Sequence, residues 1–151
     1  MDNIDRQIIS ILQQDARTPL KDIAKEVFLS SPSVSARIEK LQNEGIIHGY
    51  SAIVDQVKLG YHIKAFIHLA MDPVQKPEFY TYIEKCPCIL ECNCITGLYS
   101  MLLKVVFSST NELDSFVNEL QRFGKTDTQI VFSTPIEPRN VQVFRETGNE
   151  D

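Results

Sequence analysis

The chain has 151 residues, 43% of them hydrophobic and 23% charged, which fits a globular protein of one or two domains and excludes an intrinsically disordered one. No apolar run approaches the ~20 residues that a membrane-spanning helix needs. Residues 1–5 are acidic, whereas a signal peptide starts with basic residues. We therefore expect a cytoplasmic protein whose four cysteines stay reduced.

The formal net charge of −5 is unusual for a protein that binds a polyanion. Residues 1–60 contain seven basic and eight acidic side chains, and residues 61–151 contain eight and twelve. The acidity lies mainly in the second part, but the first part is not basic either. Affinity for phosphates would have to come from local clustering of cations, from several copies of the chain, or from both.

Apolar residues at helical spacing predict three helices in the first 45 residues. Their buried faces are Ile4, Ile8, Ile11 and Leu12; then Leu20, Ile23, Ala24 and Val27; then Val34, Ile38 and Leu41. Asp2 is the predicted cap of the first helix. Thr18-Pro19 and Ser31-Pro32 each place a cap before a proline at the first helical position, and Gly45 ends the third helix.

The segment after the third helix predicts a small wing. Residues 46–54 are interpreted as a short strand pair with a turn near His48-Gly49, and residues 55–62 as a linker. The first domain is therefore predicted to be a winged helix-turn-helix over residues 1–54.

The second part of the sequence predicts a sheet with two helices. Strands are expected at residues 65–71, 89–96, 99–107 and 128–136, with one more at 140–145. One helix contains Phe79, and the other begins at a capping box made by Ser109 and Glu112. The order is βαββαβ, so the fold class is α+β with a ferredoxin-like domain over residues 63–145. Residues 146–151 are expected to be a disordered tail.

Two helices on one face of this sheet leave the other face uncovered. That face carries apolar side chains, which favours pairing with a second copy of the chain.

The loop between the second and third helices has only three residues, 28–30, which is typical of a helix-turn-helix. Arg37 and Lys40 fall opposite the buried stripe of the third helix, and Ser31, Ser33 and Ser35 crowd its N-terminal turns. In DNA-binding helix-turn-helix proteins this end of the helix meets bases and phosphates. These five residues are the candidate DNA-binding residues; the alternative is an ordinary three-helix unit with a polar face.

Two stretches of the sequence resemble one known family. Residues 22–47, DIAKEVFLSSPSVSARIEKLQNEGII, and residues 94–105, CITGLYSMLLKV, are similar to the winged helix-turn-helix and the effector-domain signature of the Lrp/AsnC family of bacterial and archaeal regulators. The resemblance covers nearly the whole chain in the same order. It implies a domain that binds double-stranded DNA and a domain that dimerises through its sheet. It also implies assembly of homodimers into tetramers or octamers, and small effectors, usually amino acids, bound between dimers.

The sequence departs from the family pattern at two places. Phe28 stands where many members have glycine in the turn between helices. The effector loop reads Gly97-Leu98-Tyr99-Ser100, whereas the family loop is often glycine-aspartate-aromatic-aspartate, so both carboxylates are missing. The resemblance places the effector site at this loop, and it adds Gln129 and Val131 as weaker candidates.

Four cysteines form a C-x-C-x3-C-x-C cluster at Cys86, Cys88, Cys92 and Cys94. The spacing differs from the C-x2-C pairs of common zinc sites, so packing at the sheet is the favoured interpretation and a metal- or thiol-based sensor the lesser one. No metal ligands or cofactors are predicted. No nucleophile elbow, phosphate-binding glycine loop or paired catalytic carboxylates occur in the sequence, and we expect no enzymatic activity.

The sequence therefore predicts an oligomeric, sequence-specific transcriptional regulator modulated by an amino acid or another small effector. The principal alternative is an architectural protein that wraps DNA without a small-molecule switch.

Overall fold

The computed structural model describes residues 1–144. Over this range the chain forms two compact units, one made of Met1–Ile53 with residues 137–144 and one made of Val54–Ile136. The predicted tail, 146–151, lies outside the described residues, as does Arg145 at the end of the expected last strand.

Three helices form the first unit: α1 (Asn3–Gln14), α2 (Leu20–Glu26) and α3 (Ser31–Asn43). The predicted apolar stripes meet in one core, in which Ile8, Ile23 and Val34 are completely buried. The prediction is wrong for Leu20, which is exposed because it is the first residue of α2. Each short helix has one apolar stripe, so packing the three stripes together stabilises helices that would be marginal alone.

The helix starts confirm one predicted cap and correct two. Asp2 caps α1, and its side chain accepts the Asp5 N–H at 2.8 Å while the Asp5 carboxylate accepts the Asp2 N–H at 2.9 Å. Thr18 does not cap α2, because its hydroxyl donates to the Asp15 carbonyl and the helix begins one residue later. The cap of α3 is Ser30 rather than Ser31, since the Ser30 hydroxyl accepts the Ser33 N–H.

The ends of α2 and α3 use the same motif with different residues. After α3, Gly45 takes a φ of +67°, and the N–H groups of Gly45 and Ile46 return to the carbonyls of Gln42 and Leu41. The predicted role of Gly45 as the C-terminal cap is confirmed. After α2 the equivalent position is Phe28, whose φ is +56°. Phe28 therefore adopts the left-handed conformation that a glycine would take at lower energetic cost.

The predicted wing strands are wrong, because residues 46–54 contain no strand. Ile53 is 98% exposed and Tyr50 about half exposed, so the apolar pattern that suggested strands lacks a partner within this unit. Residues 140–144 also form no strand. They pack on α1 instead: the Asn140 side chain donates to the Gln13 carbonyl at 3.1 Å, and the Gln13 side chain donates to the Val141 carbonyl at 3.2 Å.

The second unit is the predicted βαββαβ arrangement. Its elements are β1 (Ile63–Met71), α4 (Lys76–Ile83), β2 (Ile89–Cys94), β3 (Met101–Phe107), α5 (Thr110–Leu120) and β4 (Gly124–Ile130). The strands lie in the order β2-β3-β1-β4, and every neighbouring pair is antiparallel. Alternate residues of β1 and β3 face both helices and form the core with Phe79, Leu113, Phe116, Leu120 and Phe123.

The last strand lies earlier in the chain than predicted, at 124–130 rather than 128–136. Its sequence, GKTDTQI, is mostly polar because β4 is an edge strand that pairs with β1 alone. At Gly124 the backbone approaches β1 so closely that an added Cβ would lie 1.9 Å from the Ala70 carbonyl oxygen. The glycine is thus required for pairing.

The cap of α5 is only half of the predicted box. The Ser109 hydroxyl accepts the Glu112 N–H at 3.3 Å. The Glu112 carboxylate does not return to Ser109 but accepts the N–H and the hydroxyl of Ser108, which lower its pKa below the usual value.

Candidate nucleic-acid interface and effector loop

The outward face of α3 carries most of the predicted DNA-binding residues. Ser33, Ser35 and Lys40 are exposed, and Ser31 is half-buried at the start of the helix. The hydroxyls of Ser30 and Ser33 lie 2.8 Å apart. The first turn of α3 thus presents hydroxyls beside backbone N–H groups, an arrangement suited to a phosphate oxygen or a base edge.

Lys40 is the exposed cation of this face. Its Nζ lies 3.7 Å from the Glu44 carboxylate, one helical turn further on, and both side chains are largely exposed. Pairs of this kind contribute little to stability, so the ammonium group can exchange Glu44 for a phosphate. Ala36 and Asn43 lie on the same exposed stripe and complete a surface that the charged residues alone did not indicate.

Arg37 is engaged within the protein. Its Nη1 lies 2.8 Å from the Asp2 carboxylate and 2.7 Å from the Asp5 carboxylate. The Asp5 side chain is only 6% exposed, and that of Arg37 is 30% exposed. The same two carboxylates form the capping box of α1, so Arg37 ties the middle of α3 to the first turn of α1.

The hydrogen bonds of this triad favour the ionised forms of Asp2, Asp5 and Arg37. Burial alone would raise the pKa of Asp5, but hydrogen bonds from the Asp2 N–H and the Arg37 guanidinium outweigh it and hold the pKa below the ordinary value of 3.8. The Asp5 N–H and then Arg37 lower the pKa of Asp2 in the same way. The hydrogen bonds that Arg37 donates to the carboxylates of Asp2 and Asp5 raise the pKa of Arg37. Both acids are therefore ionised at neutral pH.

The predicted effector loop connects β2 to β3. Gly97 is exposed, as is Leu98, whose side chain is 85% exposed. Ser100 anchors the loop: its hydroxyl donates to the Leu69 carbonyl at 3.2 Å and accepts the Met71 N–H at 3.1 Å. Ser100 stands where many family members have the second aspartate of the loop, and its hydroxyl is hydrogen-bonded to the end of β1.

Tyr99 covers a histidine that the sequence did not single out. The rings of Tyr99 and His68 lie 5.2 Å apart between centroids. His68 is on β1 with its side chain away from α4 and α5, and its Nδ1 is buried without a hydrogen-bond partner in the described part of the chain. A buried nitrogen without a partner is costly, and His68 bears this cost beneath Tyr99.

Gln129 and Val131 lie on the same sheet face as His68 but further from the loop. Gln129 is opposite Phe66 in the register of β1 and β4, whereas the loop meets β1 at Leu69–Met71. At about 3.3 Å per residue, Gln129 is at least ~10 Å from the loop along the strand. Val131 is further away, because its N–H donates to the Lys64 carbonyl. Within one chain the structure does not bring them together at the loop.

The cysteine cluster divides between the core and the surface. Cys86, Cys88 and Cys92 pack against the core of the second unit, and Cys94 is exposed. Burial raises the pKa of Cys88 to about 11 and raises that of Cys92 as well. Both thiols therefore resist forming the thiolates that metals and oxidants require. In residues 1–144, no three His, Cys, Asp or Glu side chains are arranged to hold a metal ion.

Within the described range, the helices are too short and too polar for any of them to cross a bilayer.

Comparison with protein families matches both units. Residues 1–42 match the AsnC-type helix-turn-helix domain, and residues 64–141 match the Lrp/AsnC ligand binding domain.

Relatives and solved structures agree with the family models. The chain is 38% identical to the HTH-type transcriptional regulator YezC of Bacillus subtilis over 134 residues, covering 89% of this chain and 95% of YezC. It is 33% identical to the regulatory protein AsnC of Haemophilus influenzae, covering 90% and 94%. The structure of B. subtilis LrpC superposes with a TM-score of 0.85 at 30% identity, covering 91% of this chain and 99% of LrpC. That of E. coli AsnC also gives 0.85, at 29% identity, covering 94% and 98%. The chain therefore belongs to the Lrp/AsnC family of helix-turn-helix transcriptional regulators with a ligand-binding domain.

Proposed function

We propose that this regulator reads duplex DNA with the outward face of α3. The observation that carries the proposal is the exposed surface of Ser33, Ser35 and Lys40 opposite the buried Val34 and Leu41. In a helix-turn-helix this face enters the major groove, with the N-terminal turn nearest the bases.

Each candidate residue receives a role from its surroundings. Ser31, Ser33 and Ser35 are assigned to phosphates or base edges at the start of α3, and Lys40 to a phosphate. Both ion pairs of Arg37 use Nη1, so its other N–H groups are assigned to a base or phosphate while Nη1 holds α1.

Salt dependence tests the assignment of Lys40. Lys40→Ala should weaken binding of all sequences to a similar degree and reduce the slope of log K against log salt by about one. Binding is measured by fluorescence anisotropy over a salt series, on a duplex that the wild-type protein enriches from a random-sequence pool. Lys58→Ala is the matched control, because Lys58 is an exposed lysine in the second unit with its own acidic neighbour. An unchanged slope for Lys40→Ala would reject its phosphate contact.

We propose that the second unit binds a small effector at Gly97, Leu98, Tyr99 and Ser100, with Gln129 and Val131 supplied by a neighbouring copy. An amino acid carries an ammonium group, which needs acceptors, yet this loop lacks both family carboxylates and Ser100 is occupied by β1. The chain therefore either holds the ammonium through carbonyl oxygens or binds an effector without one.

Thermal melting distinguishes these cases. A ligand present at a hundred times its Kd stabilises the native state by roughly 2.7 kcal/mol, so each common amino acid is added at millimolar concentration and the Tm recorded. Leu98→Asp restores one carboxylate at an exposed position and should create or strengthen an amino-acid-dependent rise in Tm. If neither protein responds to any amino acid, the amino-acid proposal fails.

The missing loop carboxylates also favour a second candidate, a DNA-wrapping architectural protein without a small-molecule switch. Footprints that extend with protein concentration, and that no small molecule alters, would support it. For either function we propose a homodimer that assembles into tetramers or octamers, acts without enzymatic activity and works in the cytoplasm, where the DNA of bacteria and archaea lies.

A further inference from the structure

The backbone of Phe28 ends α2, but its side chain packs in neither core of the described chain. Its φ of +56° is in the left-handed region, which a residue with a Cβ adopts at a cost in folding free energy. Its side chain is 93% exposed. Residues held in such strained conformations cluster at functional sites.

Phe28 also lies close in sequence to the N-terminus of α3. It lies in the three-residue turn between α2 and α3, two residues before Ser30, which caps α3. The exposed Ser33 follows within the first turn of the helix, and its hydroxyl is 2.8 Å from that of Ser30. The aromatic ring therefore leaves the backbone beside the helix end that meets DNA in helix-turn-helix complexes.

We propose that Phe28 is a DNA-contacting residue that packs its ring against apolar groups of the duplex at the edge of the major groove. This rests on the function proposed above for α3. A phenyl ring neither donates nor accepts conventional hydrogen bonds, so its partners are deoxyribose carbons or the C5-methyl group of thymine. Glycine would relieve the turn but could not make this contact.

The test compares four full-length proteins on the duplex enriched by the wild-type protein. Phe28→Ala and Phe28→Gly should each weaken binding by about 3–10-fold, the loss expected for partial burial of one aromatic side chain. Phe28→Leu keeps an apolar side chain and should stay within about twofold of wild type. The salt slope should remain that of wild type in all variants, because no cation is removed.

Melting temperatures separate the contact from the conformation of the turn. Phe28→Gly should melt above wild type, because glycine removes the left-handed strain, whereas Phe28→Ala retains that strain and should melt close to wild type. A gain in Tm for Phe28→Gly, combined with a loss of affinity in both Phe28→Gly and Phe28→Ala, shows that the ring serves binding and not folding. If Phe28→Gly loses affinity but Phe28→Ala does not, the loss belongs to the flexibility of the turn and the proposal is wrong.

The remaining outcomes are equally decisive. Replacing thymine by uracil in the duplex removes only the C5-methyl group: a loss seen with wild type but not with Phe28→Ala identifies the methyl group, and no loss identifies the sugar. If the wild-type protein binds DNA and all three variants match it, the ring serves another partner, such as a protein, and the proposal is overturned. If the wild-type protein binds no duplex at all, the function proposed for α3 fails first.

Discussion

Arg37 lies on the face of α3 that the sequence predicts, but it has ion-pair partners that the sequence did not reveal. Its position opposite the buried stripe of α3 made it a natural DNA ligand. Asp2 and Asp5 nevertheless lie within 2.8 Å of its Nη1, because the start of α1 packs beside the middle of α3. Helical periodicity along α3 contains no information about a carboxylate supplied by another helix. Arg37 thus holds α3 against the start of α1 through both carboxylates.

The Arg37 triad predicts how stability responds to acid. Asp2 and Asp5 have pKa values below 3.8 in the folded protein, so their stabilising effect is complete above the unfolded-state value and is lost as the pH falls through the folded value. Arg37→Ala should lower the Tm of the first unit at neutral pH, and the difference from wild type should shrink at pH values below about 4.

Circular dichroism melts between neutral pH and about pH 3 check this expectation. Arg17→Ala is the control, since it removes the same charge from an exposed position and has no ion pair in the described chain. A difference between wild type and Arg37→Ala that stayed constant with pH would contradict the assigned role.

At the scale of helices and strands, the sequence predicted an element correctly where the signal came from residues close together in the chain. The stripes of Ile8, Ile23 and Val34 and the cap at Asp2 identified the helices. Cap positions shifted by one residue because Ser30 and Ser31 have the same chemistry and only backbone geometry distinguishes them. Strand β4 was misplaced because a polar edge strand has no apolar alternation. The exposed face of α3 was predicted from the same local periodicity, and the effector loop from the family resemblance. His68 was missed because its contact with Tyr99 joins residues that are distant in the sequence.

Gly124 lies where the backbone of β4 passes too close to that of β1 for a side chain to fit. A Cβ there would lie 1.9 Å from the Ala70 carbonyl oxygen, so Gly124→Ala must displace β4 from β1 and should destabilise the second unit by about 2–4 kcal/mol. Gly60→Ala is the control, because Gly60 also has a positive φ but open space around it, and about 1 kcal/mol is expected. Urea unfolding followed by tyrosine fluorescence measures both; equal losses would show that close approach is unimportant.

At the scale of the molecule, assembly of several copies would both supply more cations for DNA and cover the apolar face of the sheet. The acidic chain presents few unpaired cations on α3, so strong DNA binding requires several copies acting together. The sheet face away from α4 and α5 carries the half-buried Phe66, His68 and Leu102. A second copy packed on this face would remove apolar area from water and would give a molecule with two α3 helices.

A charge introduced on that face should separate the copies. Leu102→Glu places a carboxylate opposite His68 in the middle of the sheet, and we expect light scattering to show monomers and DNA affinity to fall at least about tenfold through lost avidity. Val74→Glu adds the same charge at a side chain that is 84% exposed and should change neither property. An intact oligomer of Leu102→Glu with wild-type affinity would place the interface elsewhere.

The contact between residues 137–144 and α1 has a consequence for how the protein is made. Gln13 and Asn140 are 127 positions apart in the sequence and are joined by a hydrogen bond. The sheet unit therefore lies, in sequence, between two segments of the helical unit. During synthesis the helical unit leaves the ribosome first but receives its last segment only after the whole sheet has been translated. A chain that ends just after β4 would therefore contain all four strands of the sheet but would lack residues 137–144, which pack on α1. In this chain, completion of the second unit precedes completion of the first.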